Sequence, residues 1–239
     1  MASRKNRFPF PMTKREKTAG TVYIFVHTFL IGYIVSYFSY YVLPLFGASA
    51  GDTTQLLISY GIGFAFVLVF MFSYLRESFS DMLDAPGTAF ISLIIAFIGY
   101  FVLNSAISMG LGYLLENLTN PNSEAVGELV SQQTSAMTVV TVLFAPVLEE
   151  ALFRGVVFGS IRTKNRVLAY IVSVVVFAVY HLWDYFVFAP FDWAYVLYLL
   201  QYLAPGIALA WVYERSRSIW PAVFLHMIIN YIAVSFTVM

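Results

Sequence analysis

The sequence predicts an all-α fold: a polytopic bundle of about seven to eight transmembrane helices with a polar site in its interior. Three observations lead there. Of 239 residues, 60% are hydrophobic and only 11% are charged, less than half the roughly 25% charge of an ordinary soluble domain. The apolar residues gather into runs of about 20, the length a helix needs to cross a ~30 Å hydrocarbon slab. Positive charge returns on every second connector between those runs, as repeated passage across a bilayer requires. There is no cysteine, which excludes disulfides, thiolate metal sites and a cysteine nucleophile.

The spans read 21–45, 55–75, 88–115, 136–160, 167–188, 193–213 and 218–238. Ahead of them lies a basic segment, 1–20, with Arg4, Lys5, Arg7, Lys14, Arg15 and Lys17. The first span ends near Ala48-Ser49-Ala50, which resembles a signal-peptidase site. Its apolar run exceeds the ~7–15 residues of a signal peptide, so it reads as a retained anchor. Asp52 alone marks the first connector, and Arg76 with Glu77, Asp81 and Asp84 follows the second span. The third connector holds Glu116, Glu124 and Glu128 and no base, and its polar stretch Asn117 to Ser135 is expected to form a short outer surface helix. Arg162, Lys164 and Arg166 mark the fourth connector, Asp184 and Asp192 the fifth, and Arg215 and Arg217 the sixth. Seven spans then place the amino terminus in the cytoplasm and the carboxyl terminus outside, in the cell membrane. One structural domain accommodates the basic segment, the helices of 21–135 and those of 136–238.

The charges inside the spans carry the functional signal. A charged side chain at the bilayer centre costs roughly 2.5–3.5 kcal/mol on insertion scales, and such residues face a bundle interior. The stretch APVLEEALFRGVVFG holds Glu149, Glu150 and Arg154 in apolar surroundings. Glu150 and Arg154 are spaced i, i+4 with the acid first, the favoured order for an ion pair. Glu149 points about 100° away and has no local partner, which leaves it available for chemistry. Pro146, one turn earlier, removes a backbone hydrogen bond and is expected to kink the helix. Phe177 and His181 are i, i+4 on span five, and His226 and Asn230 are i, i+4 on span seven. Glu149, His181 and His226 lie about 12, 14 and 9 residues from the basic connectors, depths of roughly 14–21 Å at ~1.5 Å per residue. Three helices thus deliver polar groups to one level near the midplane.

Other features read as structure. His27, without a partner motif, reads as a packing residue. Asp184 and Asp192 with Trp183 and Trp193 read as an interfacial belt, and the Tyr and Phe content as lipid-facing and packing surface. Pro205-Gly206 reads as a helix break tolerated inside a bundle.

The motifs E-E-x-x-x-R (Glu149, Glu150, Arg154), F-x-x-x-H (Phe177, His181) and H-x-x-x-N (His226, Asn230) resemble those of the CPBP, or Abi, intramembrane proteases, which include the CAAX prenyl endopeptidases and proteins linked to bacteriocin immunity. The resemblance covers roughly 136–238. It implies an intramembrane endopeptidase of metalloprotease type, acting on a membrane-associated protein or peptide. Glu149 would activate water with help from His181, and His226 and Asn230 would hold the oxyanion or help bind a metal. Glu150 and Arg154 fill the remaining motif positions. A Zn²⁺ or other divalent ion would take Glu149, His181 and His226 as an N,N,O ligand set. Two other classes use such a cluster: a non-proteolytic scaffold or immunity protein binding a membrane partner, and a proton-coupled transporter. No inverted repeat supports the transporter. The short basic segment fits topology or anionic lipid, not nucleic acid.

Overall fold

The computed structural model describes residues 12–115 and 120–238. Arg4, Lys5 and Arg7 of the basic segment and Glu116 of the third connector lie outside the described residues. Helix α1, Lys14–Phe46, begins at a capping box. The Thr13 hydroxyl accepts from the Glu16 N–H at 3.2 Å, and the Glu16 carboxylate accepts from the Thr13 N–H at 2.8 Å, so two orphan donors are satisfied reciprocally. The other Glu16 oxygen accepts from the Tyr74 N–H at 3.0 Å.

Helix α2, Asp52–Phe70, ends earlier than expected for a span reaching residue 75. At Met71 the backbone leaves the helical region (φ −121°, ψ 17°), and the chain resumes as α3, Phe72–Asp84. The reason lies in the sequence: Arg76, Glu77, Asp81 and Asp84 cannot continue through lipid. They turn outward while Tyr74, Leu75 and Ser78 are buried. Glu16 takes up the Tyr74 N–H that the new helix start leaves without an intrahelical partner.

Helix α4, Pro86–Leu111, follows, then α5, Pro121–Gln132, the expected surface helix. Asn120 caps α5 by accepting from the Ser123 N–H at 2.9 Å, and Pro121 occupies the first turn, where its missing N–H costs nothing. Then come α6, Thr134–Arg162, α7, Arg166–Phe188, α8, Trp193–Ser216, and α9, Trp220–Val238. Among the described residues seven helices, all but α3 and α5, are long and apolar enough to cross a membrane, and no strand occurs. The chain is an integral multi-pass membrane protein. Of the apolar window of α6, 61% is buried inside the bundle, against 11% for α4. Helix α6 is therefore the axis about which the others pack.

The end of the bundle that carries the basic connectors is closed. Met71, Tyr74, Phe158, Tyr213 and Ile219 are almost wholly buried there. Glu214 on α8 is paired with Arg162 and Arg166 and accepts from the Tyr170 hydroxyl at 2.7 Å. Ser78 of α3 is bound to the α8–α9 turn: its carbonyl accepts from the Ser218 hydroxyl at 2.7 Å, and its hydroxyl accepts from the Ile219 N–H at 2.8 Å.

Candidate active site

Helix α6 is locally underwound on both sides of Glu149. Over Val139–Phe144 it adopts π spacing, and the Ala145 N–H donates to Val140, five residues back. In that register the carbonyl of Thr141 would need the N–H of residue 146, and Pro146 has none. Asn230 supplies the missing donor from α9: its Nδ2 donates to the Thr141 carbonyl at 2.7 Å. The irregularity expected from Pro146 is thus a change of helical spacing, made good by a side chain of the third motif. A second π-spaced stretch, Glu150–Phe158, follows the acid pair. Such stretches cluster at functional sites.

Glu150 and Arg154 form the expected pair, with Arg154 Nη1 3.0 Å from Glu150 Oε1 and both side chains fully buried. Arg154 Nη2 also donates to the Gly206 carbonyl at 3.3 Å, and its guanidinium lies over the Phe177 ring at 4.4 Å. A Cβ on Gly206 would come within 3.0 Å of Val174, so Gly206 lets α8 approach α7 closely and presents a carbonyl to the guanidinium. The break expected at Pro205-Gly206 lies instead just before it, in a 3₁₀ turn over Leu199–Tyr202. Glu150 has a second task that spacing did not reveal: its Oε1 lies 2.8 Å from His226 Nδ1.

The imidazole tautomers follow from their partners. His181 Nδ1 is 2.8 Å from the Phe177 carbonyl, which only accepts, so Nδ1 carries the proton. His226 Nδ1 faces a carboxylate already bound to a guanidinium, and it too must donate. In the neutral rings both Nε2 atoms are therefore acceptors. Both point at Glu149 Oε2, from 3.7 Å (His181) and 3.9 Å (His226). Glu149 is 4% exposed, and its Oε2 has no hydrogen-bond partner among the described residues. These separations exceed a hydrogen bond and leave room for one small bridging group. Three acceptors converging without a donor call for a water, a proton or a cation between them.

The structure thus brings Glu149, Glu150, Arg154, His181, His226 and Asn230 into one cluster, from α6, α7 and α9. The donors suit a divalent ion in kind, and each imidazole nitrogen, its other nitrogen held by a carbonyl or carboxylate, has the support that metal-ligating histidines have. Two atoms bound to one ion at about 2.1 Å can be no more than about 4.2 Å apart, and both separations fall within that limit. Among the described residues no group of three or more His, Cys, Asp or Glu is assembled as a metal site.

Two cavities meet at the cluster. The larger, about 560 Å³, runs beneath α5 and is lined by Tyr60, Val126, Thr141, Glu149, Asp184 and Thr237 among others. The smaller, about 390 Å³, is lined by Asn104 and Ser108 of α4, Asn120 and Gln201. His181, Tyr202, His226 and Asn230 line both. Tyr202 is a site residue that the sequence did not single out. Its ring stacks on His181 at 4.5 Å, and its hydroxyl accepts from Asn122 Nδ2 at 3.1 Å and donates to Asn120 Oδ1 at 3.3 Å, joining α5 to the His181 imidazole. Tyr60 and Tyr180, hydroxyl to hydroxyl at 3.2 Å, likewise face inward instead of meeting lipid. The only sequence signal for Tyr202 was its place three residues before Pro205. His27, buried between Tyr23 and Tyr60, packs against their rings, but its Nδ1 has no hydrogen-bond partner among the described residues, so it is a packing residue without the hydrogen bond expected of one.

Comparison with known proteins bears on the same helices. The chain is 28% identical over 221 residues, 84% of each chain, to a Bacillus subtilis (strain 168) protein named "Putative membrane peptidase YdiL". It is 33% identical over 88 residues to the UPF0177 protein YxdF of Lactococcus lactis subsp. lactis (strain IL1403), which covers 37% of this chain and 42% of that one. No solved structure matches. Residues 131–232 match the family model described as type II CAAX prenyl endopeptidase Rce1-like, and that matched segment contains every residue of the cluster.

Proposed function

We propose that this protein is an intramembrane endopeptidase that hydrolyses a peptide bond of a membrane-associated protein or peptide. The observation that carries the reading is the convergence of two imidazole Nε2 acceptors on the unpartnered carboxylate oxygen of Glu149. A water between Glu149 and His181 donates one hydrogen to each. Glu149 takes its proton as the oxygen attacks the peptide carbonyl carbon, with His181 aiming the oxygen lone pair. The oxyanion is met by the second N–H of Asn230, the first being held by Thr141. His226 joins it when a proton on Nε2 turns that nitrogen into a donor. Glu149 then passes its proton to the departing amine as the C–N bond breaks. Glu150 and Arg154 hold His226 in place and touch no reacting atom.

Where a divalent ion such as Zn²⁺ is part of the enzyme, Glu149, His181 and His226 would hold it, the base role would pass from Glu149 to Glu150, and the ion would polarise the attacked carbonyl. The alternation of basic connectors supports an amino terminus in the cytoplasm and a carboxyl terminus outside it, with the protein in the cell membrane.

The test is cleavage of a library of apolar fluorogenic peptides by the purified, detergent-solubilised protein. Glu149→Gln should lower turnover by about 10²–10⁴-fold, the usual contribution of a general base, at unchanged expression and folding. A phenotype that survives this substitution at normal protein levels would favour a scaffold, and proton flux in proteoliposomes would favour a transporter. A chelator added to the same assay tests the metal: lost activity restored by Zn²⁺ supports it, and unchanged activity argues against it.

A further inference from the structure

The two cavities have a direction. Away from the cluster itself, lining residues sit in the halves of the helices farther from the basic connectors: Tyr60 in α2, Asn104 and Ser108 in α4, Thr141 in α6, Asp184 in α7 and Thr237 in α9. Helix α5, itself part of an acidic connector, lies over the larger one. On the opposite side of the cluster Leu152, Phe153, Phe158, Leu209 and Tyr213 are all 2% exposed or less, and a cavity of about 210 Å³ between α4 and α8 is lined by none of the cluster residues. The hydrogen-bonded contacts of Glu16, Ser78 and Glu214 fasten that end. Among the described residues every Lys and Arg except Arg154 also belongs to the closed end, from Lys14 through Arg76 and Arg162 to Arg217. The two cavities that reach the cluster form a funnel that narrows towards it from the side without positive charge.

By the rule that basic loops stay in the cytoplasm, we infer that the catalytic cluster is reached from the extracytoplasmic face, through the cavity beneath α5, and that the substrate is an internal peptide segment presented from that face. The inference rests on the peptidase reading for what is bound, and on the funnel for where it comes from. The chemistry of the walls agrees. Neither cavity is lined by Lys or Arg, so nothing there pairs with the free carboxylate of a chain end. The smaller cavity is instead lined by the amides of Asn104, Asn120, Gln201 and Asn230, groups that donate to and accept from a peptide backbone without requiring charge. The larger is walled mainly by apolar side chains such as Leu56, Val126, Val130 and Val140, suited to the segment's apolar side chains.

The absence of native cysteine makes the direction measurable. Single-cysteine variants Asn104→Cys and Ser108→Cys in the smaller cavity, Asp184→Cys at the mouth and Lys164→Cys in a basic connector would be expressed in intact cells. They would be treated with a permanently charged, membrane-impermeant methanethiosulfonate. The expected result is equal labelling of Asp184→Cys and Asn104→Cys before and after permeabilisation, with Lys164→Cys labelled only afterwards. Ser108→Cys serves if Asn104→Cys fails to accumulate. Labelling of the cavity cysteines only after permeabilisation, or of Asp184→Cys without either deep cysteine, would overturn the inference. Labelling needs no turnover, so it stands apart from the peptidase reading, which fails instead if the wild-type protein cleaves no peptide. For the substrate itself, cleavable peptides with free and amidated carboxyl termini should be cut at equal rates. A marked preference for the free carboxylate would contradict an internal segment.

Discussion

At the scale of single residues, the two adjacent carboxylates divide their work according to what surrounds them. Glu150 is held through one oxygen, its Oε1, which binds both Arg154 and His226 Nδ1 while its Oε2 has no partner among the described residues, whereas the Oε2 of Glu149 faces the two imidazole Nε2 atoms and no donor. Removing the charge of Glu150 strands a buried guanidinium, a change that typically costs about 3–5 kcal/mol. Glu150→Gln should therefore lower the unfolding midpoint of the solubilised protein and its yield, while Glu149→Gln should leave both near wild type and lower turnover by about 10²–10⁴-fold. Normal stability with lost turnover for Glu150→Gln would reverse the two roles. The pairing of Glu150 with Arg154 was legible in the sequence because it depends on helical spacing alone. The contact between Glu150 and His226 was not, since 76 residues separate them and only the packing of α9 on α6 brings them together.

At the scale of elements, Pro146 and Asn230 form one device on two helices. The proline withholds an N–H, the widened turn leaves the Thr141 carbonyl without a helical partner, and Asn230 fills the gap at 2.7 Å. Asn230→Leu leaves a buried carbonyl unsatisfied, a loss of about 1–3 kcal/mol that thermal unfolding would register. Pro146→Ala restores a backbone N–H at that position, so the double variant should recover part of the stability lost by Asn230→Leu alone. A purely additive loss would refute the coupling. Sequence reasoning located the break at Pro146 from proline chemistry but had no means to find its partner. It also ran span two through Met71, because the apolar run continues to Leu75, although the charges from Arg76 onward already argued for an earlier exit from the membrane. Gly206 makes a similar case. Its neighbour Pro205 drew attention to a break, whereas the structural demand is for space beside Val174. Gly206→Ala should destabilise by about 1–3 kcal/mol through overpacking, measured by the same unfolding assay.

At the scale of the whole molecule, hydropathy and charge alternation were sufficient for the bundle: seven apolar helices appear, each near its expected range. Glu149, His181 and His226 do come together, although they lie on three helices. What hydropathy could not provide was the shape around them. Apolar residues that seal the basic end and those that line the cavities look alike in composition, and the inward rotation of Tyr60, Tyr180 and Tyr202 depends on helix packing. The arrangement predicts that Tyr202→Ala, by freeing His181 from its stacked ring and α5 from its anchor, lowers turnover more than it lowers stability. Tyr202→Phe, which keeps the ring and loses the hydroxyl contacts to Asn120 and Asn122, should fall between Tyr202→Ala and wild type. Equal turnover in all three proteins would remove Tyr202 from the site.

The central claim is that a water activated by Glu149 ends up in the product. Digestion of a cleavable membrane peptide in oxygen-18 water, followed by mass spectrometry of the new carboxyl terminus, tests it most directly. The expected result is the heavy isotope in the product of the wild-type protein, and labelled product formed about 10²–10⁴-fold more slowly by an equally folded Glu149→Gln. Labelled product formed by Glu149→Gln at the wild-type rate would contradict it.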